Sequence, residues 1–151
     1  MWDKRYAEPG YLFGTEPAAF LARDRMSYAQ AAATYQRNAV LNATPEKLVK
    51  LLYEGAIKNL ELSRIGLADQ KTARSQEVGQ TLSRAIGILG ELRASLDHAA
   101  GGPIARDLDR LYEFSLDQLS QANLTRTPTG VTNALQVIRT LKEGWDGIIP
   151  G

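Results

Sequence analysis

A chain of 151 residues and 16.6 kDa has the length of one ordinary domain, and its 44% hydrophobic content suffices for a sizeable core. Against 17 Asp and Glu stand 18 Lys and Arg, a formal charge of +1 that excludes a strong global field drawing nucleic acid or anionic lipid to the surface. Cysteine is absent, which excludes disulfide frameworks, thiolate nucleophiles, zinc ribbons and iron–sulfur clusters.

No apolar run approaches the roughly 20 residues of a membrane span. The N-terminus also lacks the basic-then-apolar order of a secretory signal, so a soluble, cytoplasmic protein without membrane insertion is expected. Leu and Ala are abundant while aromatics make up 7% of the chain, a composition that favours an all-α fold.

Residues 1–25 crowd two prolines, two glycines and five aromatics into a stretch with no sustained helical period, and read as an irregular extension in which residues 16–26 admit a short helix. Its Lys4, Arg5, Arg23 and Arg25 balance Asp3, Glu8, Glu16 and Asp24, so it is no phosphate-gripping arm. Residues 27–38 form a weak, alanine-rich helix or flap. Its large apolar side chains, Tyr28 and Tyr35, lie seven apart on one face. A linker over 39–43 follows.

Thr44 and Pro45 open the first strong helix as N-cap and first-turn residue. Leu48, Leu52, Ala56 and Leu60, flanked by Val49, Tyr53 and Ile57, give it an apolar face wider than a single seam. A second helix starts near 72–76 and carries Val78, Leu82, Ala85, Ile86, Leu89, Leu92 and Leu96 through to His98. Its Gly79, Gly87 and Gly90 mark either local weakness or close backbone approach. Gly101-Gly102-Pro103 signals a stop and restart. The third helix has the stripe Ile104, Leu108, Leu111, Tyr112, Leu116, Leu119 and Ala122. Thr127-Pro128 repeats the cap and launches a fourth, with Val131, Leu135, Ile138, Leu141 and Trp145 on one face. Short connections force neighbouring helices to run in opposite directions, so the expected fold is an antiparallel four-helix bundle over 26–151, preceded by the flap and by the extension over 1–25.

Little in the sequence suits catalysis. His98, the single histidine, is placed at the end of the second helix, where imidazole interacts with unpaired carbonyls. Without a second His or any Cys, no metal site is expected. Asp107, Asp109, Glu113 and Asp117 are interspersed with Arg106 and Arg110 and read as a solvated face rather than an acid–base pair. Phosphate-binding glycine loops and nucleophile-elbow motifs are missing, so neither an enzyme nor a cofactor is expected. The surplus apolar surface of the 44–67 helix is either ordinary core or a groove for a partner helix, partly covered by the N-terminal segment when empty.

Tyr35-Gln36-Arg37-Asn38-Ala39-Val40, Ala43-Thr44-Pro45-Glu46-Lys47-Leu48 and Leu51-Leu52-Tyr53-Glu54-Gly55-Ala56-Ile57 resemble the N-terminal signature of the FliS family of flagellin-specific export chaperones. Stretches over 92–98, 101–112, 121–124 and around Trp145 continue the similarity, which covers about residues 27–149. Departures are modest: Ala39 stands where the family often has Ser, and Glu54 where it usually has Asp.

The resemblance implies a cytoplasmic helical bundle that binds the disordered C-terminal segment of flagellin and keeps it from polymerising before secretion. Helices and extended pieces of the partner would order as they wrap apolar grooves. It implies no cofactor, and flagellar export-gate components are further candidate partners. Candidate partner contacts are Tyr28, Tyr35, Val40, Leu41, Leu48, Leu52, Tyr53, Ile57 and Tyr112. Residues 1–25, with Trp2-Asp3-Lys4-Arg5-Tyr6, Tyr11, Phe13-Gly14-Thr15-Glu16-Pro17 and Phe20-Leu21, instead resemble the opening of a class I methyltransferase using S-adenosylmethionine. The glycine-rich turn that would bind that cofactor does not follow, so the activity is not carried over. The alternative reading is a methyltransferase-derived fragment fused to an inert helical adaptor.

Overall fold

The computed structural model describes residues 45–147. The expected extension over 1–25, the flap, the linker, the Thr44 cap and the candidate contacts Tyr28, Tyr35, Val40 and Leu41 lie outside the described residues. Four helices make up the described chain: α1 (Pro45–Ala68), α2 (Gln76–Ala94), α3 (His98–Thr125) and α4 (Thr129–Asp146). Each packs on the next and α4 closes back on α1, which is the up-and-down bundle that short connections dictate.

The α1 stripe is interior: Leu48, Val49, Leu52, Tyr53, Ala56, Leu60 and Leu67 are buried. Its two buried polar residues satisfy themselves locally. Asn59 Nδ2 donates to the Gly55 carbonyl at 2.9 Å, and the Ser63 hydroxyl donates to the Asn59 carbonyl at 2.8 Å while pairing with Thr81 Oγ1 of α2 at 2.8 Å. Thr72 Oγ1 donates to the Gly66 carbonyl at 2.7 Å, which closes the end of α1, and the Ser75 hydroxyl caps α2 by accepting from Val78 N at 3.2 Å.

α2 stops four residues short of the expected His98. Asp97 adopts an extended backbone and its carboxylate accepts from Ala100 N at 3.0 Å, so a new helix starts there. His98 is therefore the first residue of α3, at the positive rather than the negative end of a helix dipole, and the carbonyl-capping role expected of it does not hold. The expected break at Gly101-Gly102-Pro103 appears as a kink inside α3. Gly102 takes φ 54° and ψ −132°, and Pro103 resumes the helix where a missing N–H costs nothing.

Every residue of the α4 stripe is buried, and so is Ile88 of α2, which lies off the expected stripe. On α3 the interior belongs to Ala105, Leu108, Tyr112, Ser115, Leu119 and Ala122. Leu111, expected in the core, is 37% exposed: one step of 100° separates it from Tyr112, and only the latter points inward. Ile86, Ile104 and Leu116 are half-buried margins of the core.

At the α3–α4 corner the expected Thr127 cap is displaced by one residue. Pro128 sits at the N-cap without a side-chain bond, and Thr127 Oγ1 pairs with Thr125 Oγ1 at 2.9 Å. Arg126 adopts the left-handed conformation, φ 55°, and its N–H closes α3 on the Ala122 carbonyl at 2.8 Å. Its guanidinium crosses to the α1–α2 loop, donating to the carbonyls of Ser75 at 3.1 Å and Ala73 at 3.4 Å. The two connections at that end of the bundle are thus tied together.

Candidate partner-binding surfaces

Four of the candidate contacts, Leu48, Leu52, Tyr53 and Tyr112, lie in the core, and Ile57 alone of those described reaches the surface, half-buried beside α4. Tyr53 and Tyr112 meet there through their hydroxyl groups, which hydrogen-bond each other, and Trp145 Nε1 donates to the Tyr53 oxygen at 3.0 Å. The three rings join α1, α3 and α4 at one level. Burial pushes the Tyr53 hydroxyl up to about 12, opposed by the hydrogen bonds from Tyr112 and Trp145, so it stays neutral and shared.

Ile57 forms the apolar floor of a groove between α1 and α4. Two adjoining hollows of about 420 and 540 Å³ share Arg139, and their walls are charged by Glu54, Lys58, Glu61, Arg64, Lys142, Glu143 and Asp146. Ion pairs bridge the groove: Lys50 to Asp146 at 3.6 Å, and Glu61 to Arg139, with Arg64 also on Glu61 at 2.9 Å. Lys142 and Lys50 hold the Asp146 carboxyl below the usual range. A partner lying here meets one apolar residue, Ile57, within a charged rim.

Two further apolar surfaces were not legible as sites in the sequence. Between α1 and α2, Leu62 is 47% and Ile65 59% exposed above a hollow of about 480 Å³, lined also by Gly66, Thr72, Val78 and Thr81. On α3, Leu111 and Phe114, the latter 44% exposed, share one outer flank. The available signal was the set of large apolar residues outside each stripe, namely Leu62, Ile65 and Phe114.

The acidic face of α3 is the solvated surface expected, with Asp107, Glu113 and Asp117 exposed and Asp109 half-buried. Arg93 of α2 donates from Nε to Asp109 Oδ1 at 2.8 Å and lies 3.5 Å from Glu113, a surface ion-pair cluster between α2 and α3. The Arg93 hydrogen bond holds the Asp109 carboxyl below its ordinary value. Among the described residues no group of three His, Cys, Asp or Glu side chains could hold a metal ion, and no helix is long and apolar enough to cross a membrane.

Fold and grooves together define the class: an all-helical bundle that offers apolar grooves along the sides of its helices. Residues 28–151 match the family described as "Flagellar protein FliS", and the chain belongs to that family. It is 35% identical over 109 residues to the flagellar secretion chaperone FliSB of Pseudomonas aeruginosa, covering 72% of this chain and 84% of that protein. Over 108 residues it is 36% identical to the flagellar secretion chaperone FliS of Vibrio cholerae, covering 72% and 77%. The flagellar secretion chaperone FliS of Salmonella typhimurium is 32% identical over 114 residues, covering 75% and 82%. None of these comparisons carries the methyltransferase resemblance of residues 1–25, which precede the matched region.

Proposed function

We propose that this protein is a cytoplasmic, non-enzymatic export chaperone that binds the C-terminal segment of flagellin and holds it unpolymerised until secretion, with residues 26–151 as the working domain and 1–25 as an appendage. Family membership supports the chaperone role, and relatives named flagellar secretion chaperones support the kind of cargo. The observation that carries the reading is the placement of large apolar side chains at the surface of an otherwise well-packed bundle: Ile57 in the α1/α4 groove, and Leu111 with Phe114 on α3. A disordered partner gains most where amphipathic helices can lay their apolar faces into such sites.

Leu48, Leu52, Tyr53 and Tyr112 then serve by shaping the groove floors from below, and Tyr28, Tyr35, Val40 and Leu41 contribute contacts from the N-terminal side. Export-gate components are further partners of the loaded complex. The test is titration calorimetry of flagellin against the parent chain and against Phe114→Asp and Tyr35→Ala. Each variant should lose about 1–3 kcal/mol of binding, the range of an interface anchor, with little change in melting. Unchanged affinity in both would contradict the assignment.

A further inference from the structure

The face formed by α1 and α2 is not needed by the reading above, and its pattern is that of a helix seam. Lys58, Leu62, Ile65 and Asp69 follow at intervals of four, three and four residues, which is the spacing by which two packed helices interdigitate. They form one outward stripe along α1 and the residue after it. Leu62 and Ile65 stand open beside a hollow lined by Gly66 and Val78, with a cation at one end of the stripe and an anion at the other. On α2, Thr81 lies level with Ser63, since their hydroxyl groups pair at 2.8 Å. Glu77 and Arg84 flank that level, seven residues apart and therefore on one face of the helix. Among the described residues Asp69, Glu77 and Arg84 have no ion-pair partner.

We infer that this face binds a second copy of itself, with the two α1 helices antiparallel about a two-fold axis level with Ser63 and Thr81. One placement of that axis serves both helices. It sets Leu62 on the partner's Ile65, Lys58 on the partner's Asp69 and Glu77 on the partner's Arg84, each contact occurring twice. Charge selects the direction, because parallel helices in register would set each of Lys58, Asp69, Glu77 and Arg84 against its own equivalent. The other charges nearby leave that pairing intact. Glu61 and Arg64 pair at 2.9 Å on the α4 side, where Glu61 also meets Arg139, and Lys58 borders the α1/α4 groove as well as the seam. Lys71 and Arg74 lie in the exposed loop beyond Asp69. Arg126 approaches from α3 and commits its Nη1 to the Ala73 and Ser75 carbonyls. It lines the outer α2/α3 hollow together with Arg84 and no carboxylate, so the partner's Glu77 brings Arg84 the anion that this hollow lacks. Few large apolar side chains take part, which puts the contact at the small end of protein interfaces and makes the dimer reversible, forming as concentration rises.

Sedimentation equilibrium of the full chain over a concentration series should show the mass climbing from 16.6 kDa toward twice that value. Ile65→Lys should hold it at the monomer value with unchanged far-ultraviolet circular dichroism, whereas Phe114→Lys should dimerise like the parent. Glu77→Arg and Arg84→Glu each set like charges against one another at two symmetric positions, so either variant alone should associate about tenfold more weakly. An equal mixture of the two restores opposite charges at both positions and should associate as the parent does. A parent that stays monomeric throughout the series, its face covered by its own chain or by nothing, would overturn the proposal. So would a dimer that Phe114→Lys abolishes and Ile65→Lys leaves intact, or a mixture of Glu77→Arg with Arg84→Glu that associates no better than either variant alone.

Discussion

Replacing glycine by alanine should have opposite effects at two positions of this bundle. Within a helix the exchange is worth about 0.5–1 kcal/mol in favour of alanine. Gly90, inside α2, has nothing within 4 Å of where a Cβ would stand, so Gly90→Ala should collect that gain and raise Tm by a few degrees. Gly130 begins α4 against α3, and a Cβ there would overlap the Gln118 carbonyl oxygen, with the Ala122 Cβ a further 3.3 Å neighbour. A backbone carbonyl cannot rotate away, so α4 must move off α3. Overpacking of this kind costs about 1–3 kcal/mol, which outweighs the propensity gain. At about 2–4 °C per kcal/mol for a chain of this size, Gly130→Ala should lower Tm by roughly 2–12 °C. Differential scanning calorimetry of both variants decides the matter. A Gly130→Ala protein as stable as the parent would refute the tight α3–α4 contact, and a destabilised Gly90→Ala would refute the open space around α2.

Leu52→Asp should unfold the bundle, since a buried unpaired charge costs several kcal/mol, comparable with the stability of a small domain, whereas Leu111→Asp should leave a folded protein by circular dichroism. The folded Tyr53 hydroxyl, at about 12, lies above its ordinary value of 10.0, so the stability it confers is intact below pH 10 and is lost as pH rises toward 12. Alkaline unfolding followed by tyrosinate absorbance should lose this component in Tyr53→Phe. Asp109 and Asp146, both held low, contribute stability that is present above the usual carboxylate range and is lost as pH falls through their depressed values. Asp109→Asn should therefore flatten the acid limb of a stability–pH curve. Arg126→Gly should melt higher than Arg126→Ala by about 1 kcal/mol, because both lose the loop bonds but only glycine relieves the left-handed backbone.

Periodicity made the bundle legible wherever an apolar stripe was strict. Leu48, Leu52 and Leu60, or Leu135, Ile138 and Trp145, recur at helical spacing and are all interior. It failed where a single local bond decides. The Asp97 carboxylate on Ala100 N moves a helix boundary past His98, and nothing in a hydrophobic pattern shows a capping bond. Leu111 beside Tyr112 shows the same limit: adjacent apolar residues are both interior at Leu52 and Tyr53 but divided at Leu111 and Tyr112, and packing alone decides which. Of the α2 glycines, Gly79 stands close to another residue, a Cβ there meeting Arg126 Nη2 at 3.2 Å, while Gly90 is open; the tightest approaches lie elsewhere, at Gly66 against Val78 and at Gly130. For the surfaces, apolar identity located Ile57, while Leu62, Ile65 and Phe114 differ from the core leucines by lying off their helices' stripes, a pattern that marks exposure and not a partner.

One titration tests the chaperone role: the full chain against monomeric flagellin, intact and lacking its C-terminal segment, by calorimetry at matched salt. The proposed chaperone role predicts a saturable complex with intact flagellin and none with the truncated form. Equal binding of the two, or no heat with either, would contradict it.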